Sequence, residues 1–168
     1  FPTWEIYQQQ FRDFLSTIDP ASEVVYFEGD EVLSEMTGEF FTFQKTPYGT
    51  LPHEIASGQT TIFYEGKYYS LNVFGDHNLQ NMTGAMAVCE SLGMSNGKFL
   101  EAISTFKGAA KRLEILGQNE ESVVFRDFAH APSKVKATVN AVKSQFPDYQ
   151  TIACLELHTF SSLNKDFI

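Results

Sequence analysis

Basic residues are scarce in this chain of 168: Lys and Arg number 12 against 21 Asp and Glu, a formal net charge of −9. That balance argues against a general nucleic-acid binder, because neutralising phosphates needs clustered cations. Cysteine is rarer still, with only Cys89 and Cys154. Both lie in apolar contexts without C-x-x-C spacing, which excludes a disulfide framework and predicts buried thiols in a reducing, cytoplasmic setting. No apolar run nears the length of a membrane span, and neither a membrane partner nor a signal peptide is expected. The four histidines show no metal-ligand spacing. A P-loop is missing too: Gly97-Lys98-Phe99 lacks the upstream glycine spacing, the Ser or Thr after lysine and a preceding strand. Opening on Phe1-Pro2 without methionine is expected of a piece excised from a longer chain.

What remains is a globular composition, long enough for one domain or for parts of two. Its charge is uneven. Glu5, Glu23, Glu28, Asp30, Glu31, Glu35 and Glu39 make the start acidic, whereas Lys107–Lys143 carries most of the basic surface. The chain is organised around Gly75-Asp76-His77-Asn78-Leu79-Gln80-Asn81, where a strand-like run ends at Phe74 and a helix follows. Leu79, Met82, Met86 and Cys89 recur at helical spacing and mark its buried stripe. Asn78 and Asn81 lie one turn apart beside that stripe. A first asparagine can cap a helix. A second, one turn in, suggests amides held out to a ligand, and a helix N-terminus suits phosphate. A cap plus one solvated amide fits the spacing equally well.

Upstream, Trp4, Tyr7, Phe11, Phe14 and Ile18 mark one face of an amphipathic helix that Asp19-Pro20 stops. Val24–Phe27 and Phe40–Gln44 read as strands around one or two helical turns at Glu31–Met36, and 46–59 reads as a loop. Thr61–Tyr64 and Lys67–Val73 form a hairpin about Glu65-Gly66. Beyond the organising helix, Gly93 stops it and Ser95 or Asn96 caps the next, with Phe99, Ile103 and Phe106 buried and Gly108 terminating. The small, basic run 107–112 reads as a domain junction. Leu113–Leu116 and Val123–Phe128 read as strands, then Pro132 opens a helix with the stripe Val135, Val139, Val142 and Phe146. Thr151–Leu157 would close a βαβ unit.

A second polar cluster, Asp127-Phe128-Ala129-His130, lies where a strand turns into a helix, the ligand edge of open α/β sheets. Asp127 can accept from a sugar hydroxyl and His130 can meet a phosphate, or they can be turn and packing residues. Arg112 can clamp a phosphate with its planar fork or stand as a solvated charge. His158 closes the last strand at the same edge, and His53 looks incidental.

In this order, Gly75–Asn81, then Phe106-Lys107-Gly108-Ala109-Ala110-Lys111-Arg112-Leu113-Glu114, then Asp127-Phe128-Ala129-His130-Ala131-Pro132 resemble the Mur ligase family, ATP-dependent amide-forming enzymes of peptidoglycan synthesis. The likeness covers essentially the whole chain. It implies an α/β fold in which 1–107 is the latter part of a central ATPase domain and 108–168 begins a Rossmann-like C-terminal domain. ATP and Mg²⁺ are the implied cofactors; the P-loop, the main magnesium ligands and a UDP-sugar domain are expected in other parts of the parent ligase. By the resemblance, Asn78 and Asn81 hold adenine with His77 beside them, and Arg112 reaches the terminal phosphate. Asp127 contacts ribose or nucleotide, and His130 faces the phosphates. Arg112 and His130 are thus the catalytic candidates. His158 falls where the incoming amino compound is expected. Lys111 replaces a common arginine, and Ala131 replaces the second histidine of alanine-adding members, so neither takes a role.

Phe1-Pro2-Thr3, Arg112-Leu113-Glu114 and Cys154-Leu155-Glu156-Leu157-His158 favour the branch that joins L-alanyl-γ-D-glutamyl-meso-diaminopimelate to UDP-N-acetylmuramate over the L-alanine-adding branch. The implied chemistry is carboxylate activation by ATP and amine attack on the acyl phosphate. No ligase activity is expected of this stretch alone. Another Mur ligase, a non-catalytic nucleotide-binding module and a purely structural domain are the alternatives.

Overall fold

Side-chain caps and short turns set several element boundaries in the computed structural model, which describes residues 3–40 and 42–156. Packing sorts the chain into two units, one from Phe1–Thr50 with Gln80–Met94, the other from Leu51–Leu79 with Ser95–Ile168. The junction expected at Lys107-Gly108 falls inside the second unit.

In the first unit, Thr3 accepts from the Ile6 N–H to start α1 (Trp4–Ser16), and Asp30 accepts from the Leu33 N–H to start α2 (Glu31–Gly38). The strands β1 (Glu23–Phe27) and β2 (Gln44–Tyr48) flank α2 and pair in parallel, from Glu23 opposite Gln44 to Phe27 opposite Tyr48. A parallel pair needs such a crossover. Leu15, Met36 and Phe43 form the core, with Ile18, Val24, Val32 and Phe40 against it. Two expectations change here. The core takes Leu15 and Ile18 from the α1 segment, so the aromatic row turns outward: Phe14 is 63% exposed, and Trp4, Tyr7 and Phe11 pack on one another. The strand expected at Phe40–Gln44 starts only at Gln44, because Phe40 and Phe43 enter the core instead of pairing. Phe41 lies outside the described residues.

The second unit holds an antiparallel meander of β3 (Glu54–Ala56), β4 (Gln59–Tyr64) and β5 (Lys67–Leu71). Both connections are two-residue turns with left-handed backbone throughout, Ser57-Gly58 at φ 50° and 73° and Glu65-Gly66 at 47° and 81°. That is the hairpin geometry whose twist matches the strands. The 46–59 segment is therefore not a continuous loop; it holds the end of β2 and all of β3. The strand run also stops at Leu71 rather than Phe74.

Next come α3 (Asp76–Ser91) and α4 (Asn96–Ile103). On α3, Leu79, Met82 and Met86 are buried as the stripe predicts, and Gly93 follows the helix at φ 89°. Gly84 sits so close to the Tyr48 ring that a Cβ would lie 2.7 Å from it. On α4, Phe99 and Leu100 are buried, whereas Phe106 lies past the helix and is 46% exposed. Ser104, not Gly108, ends α4.

The hairpin β6 (Glu114–Gln118) and β7 (Val123–Arg126) is antiparallel, with an irregularity between Ile115 and Gly117. Pro132 opens α5 (Pro132–Gln145). Its most buried residues are Ala141 and Gln145, with Val135, Val139, Val142 and Phe146 only partly covered. Phe74, Leu113 and Ala141 make a second core, edged by Phe125, Val142 and Phe146. Gln145 is buried but satisfied, since its Nε2 donates to the Gly58 carbonyl at 2.6 Å and its Oε1 accepts from the Thr60 hydroxyl at 3.0 Å.

The expected βαβ unit is not completed among the described residues. Residues 151–156 form no strand, and Ile152 is 80% exposed. A parallel strand needs a neighbour to bond to, and β7 pairs with β6 instead. Leu157 lies outside the described residues. The thiols also differ from expectation: Cys89 is half-buried and Cys154 exposed.

Candidate nucleotide site

The path from β5 to α3 creates the site. Asn72 donates to the Ser104 carbonyl, Phe74 plugs into the second core, and Gly75 turns the chain at φ 87°. A Cβ at Gly75 would lie 2.5 Å from the Ala141 Cβ and 3.3 Å from the His77 ring. Glycine is thus required twice, by conformation and by the close approach of α5. The Gly75 carbonyl then accepts from the Asn78 and Leu79 N–H groups to open α3.

Asn78 is partly buried and donates from Nδ2 to the Phe74 carbonyl at 2.8 Å. It is no N-cap, because a cap accepts from an N–H and this amide donates to a carbonyl. Its side-chain oxygen remains an acceptor. Asn81, one turn on, is exposed, and its side chain makes no hydrogen bond with a described residue. The pair divides into one amide braced against the strand exit and one open.

His77 links the two motifs. Burial holds its pKa below the ordinary histidine value; Asp127 and Asp76 pull it upward, and Arg112 adds a small downward push. The turn at Gly75, the junction arginine and the end of β7 therefore share one electrostatic neighbourhood. With the folded value depressed, the neutral form's stabilisation is complete above about pH 6.5 and is lost as pH falls through the folded value. Thermal melts at stepped pH are expected to show that loss in the wild type and less of it in His77→Gln. Equal pH dependence in both would contradict the burial seen here.

Arg112 is exposed, and its guanidinium makes no hydrogen bond or ion pair with a described residue. Its neighbours Lys111 and Leu113 both have left-handed backbone, at φ 57° and 48°. Each such non-glycine residue costs roughly 1–2 kcal/mol. Asp127 accepts from the Leu113 N–H at 2.8 Å and from the Thr138 hydroxyl at 3.3 Å. His130 is half-buried, with Nδ1 2.9 Å from the Phe128 carbonyl and its ring 5.1 Å from that of Phe128. A proton on Nδ1 would satisfy that bond and leave Nε2 as an acceptor.

His158 lies outside the described residues. His53, incidental by its sequence context, places its Nε2 3.9 Å from the Asp76 carboxylate beside the turn. No sequence signal joins the two, because the meander separates them along the chain. Among the described residues, no three His, Cys, Asp or Glu side chains converge on a point that could hold a metal ion. A cleft of about 370 Å³ at the C-terminal end of α5, lined by Ser57, Gly58, Gln118 and 144–149, includes none of the candidate residues.

No protein-family model matches the chain. Its fold is that of the Mur ligases. It superposes on a UDP-N-acetylmuramate-alanine ligase from Thermotoga maritima with a TM-score of 0.65 at 21% identity, covering 88% of this chain and 35% of that one. A murein peptide ligase from Psychrobacter arcticus gives a TM-score of 0.53 at 22% identity, with 84% and 32% covered. In sequence, the chain is 36% identical over 176 residues to a UDP-N-acetylmuramate–L-alanine ligase of Caldanaerobacter subterraneus, covering 95% of this chain. It spans only 38% of that relative's length. The resemblance to the Mur ligases drawn from the three motifs thus holds at the level of the family.

Proposed function

We propose that this chain is the nucleotide-edge portion of an ATP-dependent carboxylate–amine ligase, the latter part of a central domain (1–107) and the start of a C-terminal one (108–168). What supports this most is the clustering of His77, Asp127 and Arg112 about the Gly75 turn in a fold shared with Mur ligases. In the reaction, the lactoyl carboxylate of UDP-N-acetylmuramate attacks the terminal phosphorus of ATP, and ADP leaves. The amine then attacks the acyl phosphate carbon, forming the amide and releasing phosphate. Such catalysis rests on positioning and charge neutralisation. Asn78 and Asn81 take the purine beside His77, Arg112 takes the terminal phosphate, Asp127 lies by the ribose, and His130 lies in the segment facing the phosphates. His158 serves the incoming amine. Magnesium, supplied with the nucleotide, draws its main ligands from other parts of the parent ligase.

The amine we assign is the tripeptide L-alanyl-γ-D-glutamyl-meso-diaminopimelate, on the Arg112-Leu113-Glu114 and Cys154–His158 runs, in a cytoplasmic recycling ligase. L-Alanine is the second reading, favoured by the name of the sequence relative above. Competition between the two amines in the complete protein separates them.

The nucleotide reading is tested by titrating an ATP analogue into the complete protein. Arg112→Ala is expected to weaken binding by about 10- to 100-fold, the worth of a charge-assisted hydrogen bond. Asn81→Ala is expected to weaken it by about 3- to 10-fold, as for a neutral one. Affinity indifferent to both substitutions would leave these residues a structural role alone.

A further inference from the structure

The backbone around Arg112 is held far more tightly than its exposed side chain requires. Lys111 and Leu113, on either side of it, both adopt left-handed conformations that L-residues avoid. Such strain persists only where the surroundings over-determine it, and it clusters at ligand clamps. Two carboxylates supply that constraint. Glu114 accepts from the Lys111 N–H at 2.8 Å, and Asp127 accepts from the Leu113 N–H at 2.8 Å. Phe128, next after Asp127, donates to the Lys111 carbonyl at 3.0 Å. The Leu113 side chain is anchored in the second core.

Carboxylates so near an arginine would ordinarily capture it. Here both are engaged. Arg126 donates to Glu114 from Nη2 at 2.9 Å and Nε at 3.3 Å, and Thr138 donates to the other oxygen of Asp127. The Lys111 N–H first, then Arg126, holds the Glu114 carboxyl below its ordinary range, so it stays ionised. The Arg112 guanidinium is thereby left for an anion from outside the described chain.

We propose that Glu114 is a positioning residue: paired with Arg126, it fixes the Lys111 flank as Asp127 fixes the Leu113 flank, and the two aim Arg112 at a nucleotide's terminal phosphate. Neither Glu114 nor its partner touches the nucleotide in this arrangement. The inference rests on the nucleotide reading above and adds a residue that reading does not use.

A double-mutant cycle in the complete protein tests it, with an ATP analogue titrated into wild type, Glu114→Gln, Arg112→Ala and the double variant. Glu114→Gln is expected to weaken binding by about 3- to 10-fold through Arg112, and to add nothing once Arg112 is alanine. Glu114 is half-buried and glutamine keeps its shape, so a thermal melt close to wild type should accompany that loss. Glu114→Asp, which keeps the charge but shortens the reach, is expected to recover part of the affinity. If Glu114→Gln is silent, or costs the same with and without Arg112, the positioning role is overturned while the nucleotide reading stands. An Arg112→Ala variant that binds like wild type overturns both.

Discussion

Gly75→Ala is expected to be among the most damaging single-methyl additions in this protein, destabilising it by about 2–5 kcal/mol. The figure combines roughly 1–3 kcal/mol for overpacking with roughly 1–2 kcal/mol for an L-residue in left-handed backbone. The added carbon would stand 2.5 Å from the Ala141 Cβ, and neither side can yield easily. Gly75 sits between Phe74 in the second core and the first turn of α3, and Ala141 is itself a buried member of that core. Urea denaturation should show a lowered midpoint at unchanged slope. Adding Ala141→Gly should restore the steric share but not the conformational one, so recovery in the double variant is partial. A Gly75→Ala midpoint equal to wild type would mean that α5 does not rest on this turn.

A second large effect separates two neighbours that sequence alone ranks wrongly. Leu100→Ala is expected to cost about 2–5 kcal/mol, because its side chain is fully buried and truncation leaves a cavity. Phe106→Ala is expected to stay within about 1 kcal/mol, as befits a residue with nearly half its surface in water. Spacing from Phe99 favours Phe106 as the deeper residue, since it assumes that the helix runs on. Ser104 ends α4 first, its N–H accepted by Leu100 and its hydroxyl bonded to the same carbonyl at 2.7 Å. Equal losses in the two variants would place the helix end further along.

The same contrast explains what could be read in advance. Local chemistry was legible: the Glu65-Gly66 turn needs left-handed residues, Pro132 suits a first helical turn, and the stripe on α3 repeats at helical spacing. Burial that depends on distant partners was not. The aromatic row of α1 has a sound period but faces outward, because the core of its unit is filled by Leu15, Met36 and Phe43. The apolar run 151–156 carries strand-like residues but has no described strand beside it. At the site, the motif residues were visible as a pattern, yet the bonding partners of Glu114, Thr138 and His53 were silent. Glu114 meets Arg126 only across the β6–β7 hairpin, Thr138 meets Asp127 only once α5 has docked, and His53 meets Asp76 only across the meander.

One buried pair sets how that docking ends. The Thr60 hydroxyl and the Gly58 carbonyl hold opposite ends of the Gln145 amide, deep beneath the meander. An apolar interface would let the helix slide by a turn along the strands with little change in buried area. The amide admits one alignment only, because any shift strands a donor or an acceptor away from water. Three polar groups thus act as a vernier, and the seat of Ala141 against the glycine turn one helical turn away inherits its accuracy from them.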